Sequence, residues 1–492
     1  MAWRRPPQRG PICRRSSEPI LKPTPEEVRL IYRGHLIHIA GTPTLHEAAG
    51  ALVSEPDGAL AVDPEGRVSY AGPWRDLPPN MAHDEVVETA GCLLPGFVDT
   101  HLHYPQTFTT DAFGGGELLE WLERCVFPAE ARLADTDYAD AIAAQFVRRR
   151  IAAGTTAAMV FGSAFPAAQD ALFGKTLDAG LRIISGRGIQ TVGPASAAPL
   201  LTDDDTAIGL TRDEIARWHG READGFARDA RDALAQVAVV PRFSLSVTTD
   251  TLGRLGDLYA EVREAGVYFH SHLNENDRPG DGEIAAVRDV YGVEAYLDTY
   301  DGLFLPGSRR GGESLLGRRS VLAHSVHSRE RELHRLAETK SSIAHCPTSQ
   351  LFLGSGTMPW RRTVASGVNI AIGTDVGAGD EWLIPRVLND AFKVHMSEEG
   401  LLAQAIHPAQ LLFLGTLAGA RALDQERLFG NFDVGKDADF VIVDAAAQPG
   451  FDTALAFAAE QSPEAHLFTL LMGMREAAVA AVHVRGRRVV AD

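Results

Sequence analysis

Eight short apolar runs punctuate the middle of the chain: LLPGFVDTHLH, GTTAAMVFG, LRIISGRG, VAVVPRFSLS, GVYFHSHLNE, SVLAHSVH, SSIAHCPTS and VNIAIGTDVG. They are nearly continuous in apolar residues rather than alternating, the mark of strands buried on both faces. Between them lie helix-period stretches. DYADAIAAQFVRRRIAAG keeps apolar residues at three and four spacing, and SRERELHRLAETK is amphipathic. Strand and helix in strict alternation predict a parallel sheet covered on its outside, and eight strands are what a closed barrel requires. The ends of the chain read differently. EVRLIYRGHLIHIAG and GALAVDPEGRVSYAG are short alternating strands, with Asp63 to Gly66 as a hairpin turn, and GNFDVGKDADFVIVDA and AVAAVHVRGRRVVAD repeat that grammar around Gly486. The expected fold class is therefore α/β: a (β/α)8 TIM-like barrel over 95–431, with a small β-sandwich domain built from both chain ends, 26–94 plus 432–492. A basic, proline-rich tail over 1–25 is expected to be disordered. The Gly- and Arg-rich stretch PGSRRGGESLLGRR, 306–319, is expected to be an exposed loop.

Length agrees with this division, since 492 residues exceed the roughly 250 to 300 that one core supports. A formal charge of −18 argues against the clustered positive potential that nucleic acids and anionic membranes require, so the expected partner is a small molecule, with no nucleic acid and no membrane. Four cysteines, Cys13, Cys92, Cys125 and Cys346, lack the spacing of a disulfide framework or a thiolate metal site, which suits a reducing cytoplasmic setting. No uninterrupted apolar stretch is long enough to cross a bilayer and the first residues lack the apolar run a secretory signal needs, so a protein neither spanning nor exported is expected.

The chemistry lies where polar residues fall on these runs. His101 and His103 close the first run two positions apart, so both imidazoles project to one side of a strand. Alone the pair is weak evidence, because 17 histidines make a chance His-x-His expected and HSH at 270–272 is a second one. Position decides. The fifth run carries His272 with Glu275 three residues on, the sixth carries His324 and the eighth Asp375, all at strand carboxyl ends that a barrel gathers on one face. Three imidazoles and a carboxylate form a borderline donor set that suits one zinc ion per subunit with a position left for water, although iron and manganese accept the same donors. His101, His103, His272 and Asp375 are the expected ligands. Zinc there lowers the pKa of water to about 7, supplying hydroxide at neutral pH. Glu275 is expected to shuttle a proton, and His324, left off the metal, to orient the hydroxide and stabilise a tetrahedral intermediate. Lone histidines are more often structural, and His270, His327 and His345 are read as structural or as supports beside the ligands. Trp121 and Phe127 stand at helical spacing and are read first as core.

Several strings resemble the amidohydrolase superfamily and, within it, the guanine deaminases: PGFVDTHLHYPQ, LLEWLERCVFPAE, GTTA, PRFSLS, HSHLNEN, KSSIAHCPTSQLFLGSG, GTDVGAG and GNFDVGKDADFVI, spread over residues 26–490. The resemblance implies hydrolytic deamination of guanine to xanthine and ammonia, with attack at C2, Glu275 protonating N3 and Asp375 moving protons to the departing amine. It further implies that Gln106, Arg242 and Phe243 bind the purine beside His103, His272, Glu275 and Asp375. Arg242 would meet the O6 carbonyl and Phe243 a ring face. Binuclear members of the fold carry a carboxylated lysine at the end of the fourth strand; VVPRFSLS has none and places Arg242 there, which favours one metal. A homodimer is implied as well. Arg242 is in its own right a fixed cation whose planar fork suits a carbonyl oxygen on a flat ring; the plainer alternatives are that it only closes a structural ion pair and that Gln106 is an ordinary polar loop residue. Three segments depart from the family: RGIQTVGPASAAPLL at 187–201, DEWLIP at 380–385 with acidic Asp380 and Glu381, and the long loop at 302–319. They keep open a deaminase of a related aminated heterocycle, 8-oxoguanine or a pterin. A non-catalytic scaffold is the third reading, opposed by retention of every ligand and of Glu275.

Overall fold

The computed structural model of the chain describes residues 29–109, 118–278, 282–304, 308–309, 312–398 and 405–490. The tail expected over 1–25 lies outside the described residues. The alternating amino-terminal runs form Leu30–Ile39 (β1), Leu52–Val62 (β2), Val68–Pro73 (β3) and Glu85–Pro95 (β4). The hairpin turn falls at Asp63 to Gly66, closed by Gly66 N–H donating to the Asp63 carbonyl at 2.9 Å.

The eight apolar runs of the middle region all become strands of one parallel sheet. They are Phe97–His103 (β5), Thr155–Phe161 (β6), Arg182–Gly186 (β7), Ala235–Val239 (β8) and Tyr268–Leu273 (β9), then, past a two-residue pair at Leu303–Phe304 (β10) and Ser308–Arg309 (β11), Ser320–His324 (β12), Ser342–His345 (β13) and Asn369–Ile372 (β14). Their order in space is their order along the chain, β5 to β14 without the short pair. The barrel closes where β14 meets β5: Asp375 N–H donates to the His101 carbonyl at 2.8 Å and Thr100 Oγ1 to the Ile372 carbonyl at 2.9 Å. Closure needs a close approach, and a Cβ on Gly373 would stand 2.8 Å from that of His101. Helices such as Thr136–Ala152, N-capped by Asp135, and Glu330–Thr339 cover the outside.

The carboxyl-terminal strands Phe440–Val443 (β15), Val479–Val484 (β16) and Arg487–Arg488 (β17) join β1 to β4 in a seven-stranded sheet ordered β17-β16-β15-β4-β1-β2-β3. Both chain ends thus build one β unit beside the barrel. The stretch at 306–319 differs from expectation in its second half, where Leu315 and Leu316 are buried and Leu315 N–H donates to the Tyr300 carbonyl at 2.9 Å. Two adjacent leucines outweigh the surrounding Gly and Arg, because burying each is worth about 1.5–3 kcal/mol. Among the described residues no helix is long and apolar enough to cross a membrane.

Arg182, at the amino end of β7, ties the barrel to the terminal sheet. Its Nε donates to Asp439 and its Nη2 to Asp437, both at 2.6 Å, and all three residues are buried. Arg182→Ala strands two carboxylates in the interior, although Arg485 still reaches Asp437. Denaturant melts are expected to show a loss of about 3–5 kcal/mol, the usual result of removing one partner of a buried pair. Turnover per folded molecule should not change, because Asp375 lies at the other end of the barrel.

Candidate metal centre and ring-binding cavity

The carboxyl ends of β5, β9, β12 and β14 bring His101, His103, His272, His324 and Asp375 together. One ligand atom from each of His101, His103, His272 and Asp375 lies within 4.8 Å of the other three. Asp375 Oδ1 is 3.0 Å from His101 Nε2 and 3.1 Å from His103 Nε2, and His272 Nε2 is 3.3 Å from His103 Nε2. His324 stands beside this group, its Nε2 3.3 Å from Glu275 Oε2 and 3.8 Å from Asp375 Oδ2. Backbone geometry is strained here, since Asp375, His324 and Asn274 all have positive φ, at 52°, 75° and 51°. Such positions cost about 1–3 kcal/mol each and persist where the surroundings fix them, commonly at working sites.

Hydrogen bonds decide which ring nitrogens are bare. The Val321 carbonyl can only accept, so His270 Nδ1 carries the proton of their 2.8 Å bond. Burial first, and the nearby His101 second, hold the His270 pKa well below the ordinary value, so the ring is neutral and its Nε2 is an acceptor. His101 Nδ1, 2.9 Å away, must then be the donor, which leaves His101 Nε2 without a proton in the neutral ring. Likewise His272 Nδ1 donates to the Arg242 carbonyl at 2.7 Å, leaving its Nε2 bare. Burial pushes His103 down to about 4 and His324 to about 3. Burial raises the Asp375 carboxyl, and only imidazole protons turned toward it would outweigh that and hold the group well below the carboxylate range; the His101 proton is committed to His270 instead. The result is a buried cluster of lone pairs facing one carboxylate oxygen. His101 Nε2 has no hydrogen-bond donor to meet it. Acceptors pressed together at such distances repel unless a cation lies among them, so the donor set fits a divalent ion and the fit is borderline N/O in character.

A cavity opens on this cluster, lined by His103, His272, Asp375, Glu275, Gln106, Arg242 and Phe243, with Trp121, Leu122, Leu353 and Ala378 as apolar walls. His101 and His324 sit beneath it, fully buried. Burial, then Asp375, then Glu283 hold the Glu275 carboxyl well above its ordinary value. Trp121 and Phe127 join Phe243 in one apolar cluster; Trp121 is also a wall of the cavity, whereas Phe127 does not line it. Arg242 lines the cavity and closes an ion pair with Glu130 at 2.7 Å. His345 bonds His395 at 2.9 Å and His327 the Ser355 carbonyl at 2.8 Å, supports without contact to the cluster. Asp380 is exposed, Glu381 pairs with Arg386 at 3.3 Å, and neither lines the cavity.

Two carboxylates escaped the sequence reading. Glu130 holds both Gln106 and Arg242. Glu283 accepts from Glu275 N–H, Asn276 N–H and the Tyr296 hydroxyl, and burial pushes it up to about 7. The only sequence signal for Glu130 was its place in the string FPAE; Glu283 had none.

Against known proteins, the amidohydrolase family pattern matches residues 92–489. The chain is 39% identical over 456 residues to a protein of Deinococcus radiodurans named "Probable guanine deaminase", spanning 90% of this chain and 95% of that one. It is 36% identical over 360 residues to the guanine deaminase of Escherichia coli, 73% of this chain and 74% of the relative. The solved structure of the E. coli enzyme superposes with a TM-score of 0.79 at 32% identity, covering 95% of this chain and all of that one.

Proposed function

The chain belongs to the amidohydrolase family, and from that premise we propose that it deaminates guanine hydrolytically to xanthine and ammonia, using one zinc ion. One observation carries the proposal. The same cavity is bordered by the bare nitrogens and carboxylate of the His/Asp cluster, by the buried Glu275, and by Arg242 with Gln106, a pair suited to the polar edge of a flat ring. The guanine deaminases to which the chain is similar support it.

In this reading His101, His103, His272 and Asp375 hold the ion. When bound, zinc supplies Lewis acidity and lowers the pKa of water to about 7. The side chains do the rest. Arg242 and Gln106 hold the ring by its O6 edge, and Phe243 covers one face, so that C2 is turned toward Glu275 and Asp375. Water oxygen adds to C2 as Glu275 takes a water proton and delivers it to N3. The C2–N bond then breaks, with Asp375 passing the second proton to the leaving amine, so guanine and water become xanthine and ammonia. His324, held neutral by burial, stands with its Nε2 3.3 Å from Glu275 and 3.8 Å from Asp375, placed to steady the charge that develops at C2.

A second reading, deamination of a larger ring such as a pterin, has one observation in its favour. Gln190, Val192, Gly193 and Pro194, from the segment that departs from the family, line a neighbouring cavity that shares Leu122 and Phe243 with the first. Metal-quantified protein assayed for ammonia release from guanine, 8-oxoguanine and pterin separates the readings. Guanine should give the highest kcat/KM; a higher value for pterin would favour the second reading, and a zinc-loaded sample inert to all three would reject both.

A further inference from the structure

Gln106 and Arg242 approach the cavity from the ends of two different barrel strands, yet one carboxylate holds both. Gln106 Nε2 donates to Glu130 Oε1 at 2.9 Å, and Arg242 Nη1 donates to Glu130 Oε1 and Oε2 at 2.7 and 2.8 Å. All three side chains are buried, with Glu130 6% exposed. Charge-assisted bonds shielded from water are both strong and directional. Glu130 comes from the short helix Phe127–Ala131, and the Phe127 ring backs the Arg242 guanidinium at 5.4 Å. Both partners of Glu130 lie on the wall of the cavity.

We propose that Glu130 is the positioning residue that sets the hydrogen-bonding polarity of this cavity and so selects a ring with a lactam edge, a carbonyl beside an N–H. The inference rests on the guanine reading above and deepens it. A carboxylate can only accept, so Gln106 must turn its NH2 toward Glu130, which leaves Oε1 as an acceptor for the cavity. A free glutamine side chain has no such preference. Arg242 gives Nη1 to Glu130, keeps its remaining N–H groups as donors, and has no acceptor to offer. Donor and acceptor, fixed side by side, complement O6 and N1–H of guanine. A ring lacking the 6-oxo group leaves the guanidinium without an acceptor and sets its own N1 lone pair against Gln106 Oε1. Sites built this way reject the analogue far more strongly than apolar pockets do, because buried polar groups are left unpaired.

Removing Glu130 also removes the counter-ion of a buried arginine, so a loss of activity alone would not reveal selection. The informative quantity is the ratio of kcat/KM for guanine to that for 2-aminopurine, which presents the same C2 amine without the 6-oxo group. In Glu130→Gln the residue at 130 both donates and accepts, and Gln106 is free to turn over. Both rates should fall, guanine's by about 30-fold more, the worth of one or two charge-assisted bonds, and chiefly through KM. Glu130→Asp keeps an acceptor but retracts it by one methylene, so it should shift the ratio in the same direction by less, and it carries the test if the Gln variant does not fold. Equal losses on the two substrates, or an unchanged ratio in a folded variant, would overturn the proposal. If the unaltered protein does not deaminate guanine, the functional reading itself fails, a result distinct from an unaltered ratio in a working enzyme.

Discussion

Glu275→Gln is expected to lower kcat on guanine by about 10³-fold while leaving the fold and the bound metal in place, because proton transfer by a positioned side chain contributes roughly 10²–10⁴ to rate. The argument starts from burial. Glu275 is 2% exposed, and its neighbours include two further carboxylates, Asp375 and Glu283, so burial and like charge raise its carboxyl above the ordinary value and make it a readier proton acceptor than a free carboxylate. Glutamine keeps the shape and can still accept the Ser355 hydroxyl, which approaches Oε1 at 3.4 Å. What it loses is the ability to take a proton from water and return it to the ring. Because the substitution removes an ionisable group from beside Asp375, thermal unfolding should not move downward. The checks are steady-state kcat, metal content and a melting curve on one preparation. A variant within tenfold of the parent would transfer the proton role elsewhere, with His324, 3.3 Å from Glu275 Oε2, next in line.

Where the pattern along the chain determined local burial, sequence and structure agree. Each barrel strand is a near-continuous apolar run that ends in polar residues, and nothing except a strand buried on both faces wants such a run. The cluster was legible for a related reason: strand carboxyl ends meet on one face whatever the loops between them do, so His101, His272, His324 and Asp375 are brought together by topology alone. What was not legible depends on partners far away in sequence. Glu130 stands in a stretch that also holds Glu120 and Glu123, and only the packed helix turns Glu130 inward while the other two face solvent. The proton arrangement of His101 depends on β9 and β12 pairing so that His270 lies opposite Val321. A one-residue change of that register would leave His270 without its carbonyl acceptor. The outward reading of 306–319 failed because glycines and arginines dominate its composition, whereas two leucines decide its packing.

Stripping the metal should abolish deamination outright, and added zinc should restore it at one ion per chain. The hydrogen bonds around the cluster explain why the requirement is strict. His270 and the Arg242 carbonyl commit the Nδ1 protons of His101 and His272, so these rings cannot turn their donors toward Asp375 when the ion is absent. The apoprotein must instead protonate an imidazole that burial disfavours, or admit water, or bear repulsion between Asp375 Oδ1 and the nitrogens at 3.0 and 3.1 Å. Each route costs folding free energy, so the ion should stabilise as well as activate. With free zinc at a thousandfold excess over Kd the gain is about 4 kcal/mol, visible as a higher Tm in the reconstituted sample than in the chelated one. Asp375→Ala should abolish activity and most of that zinc-dependent rise together, since the carboxylate is the one anionic donor among neutral rings. Two ions per chain at saturation would contradict the single-metal reading. Full activity in a chelated sample, with metal analysis finding none bound, would overturn the proposed chemistry.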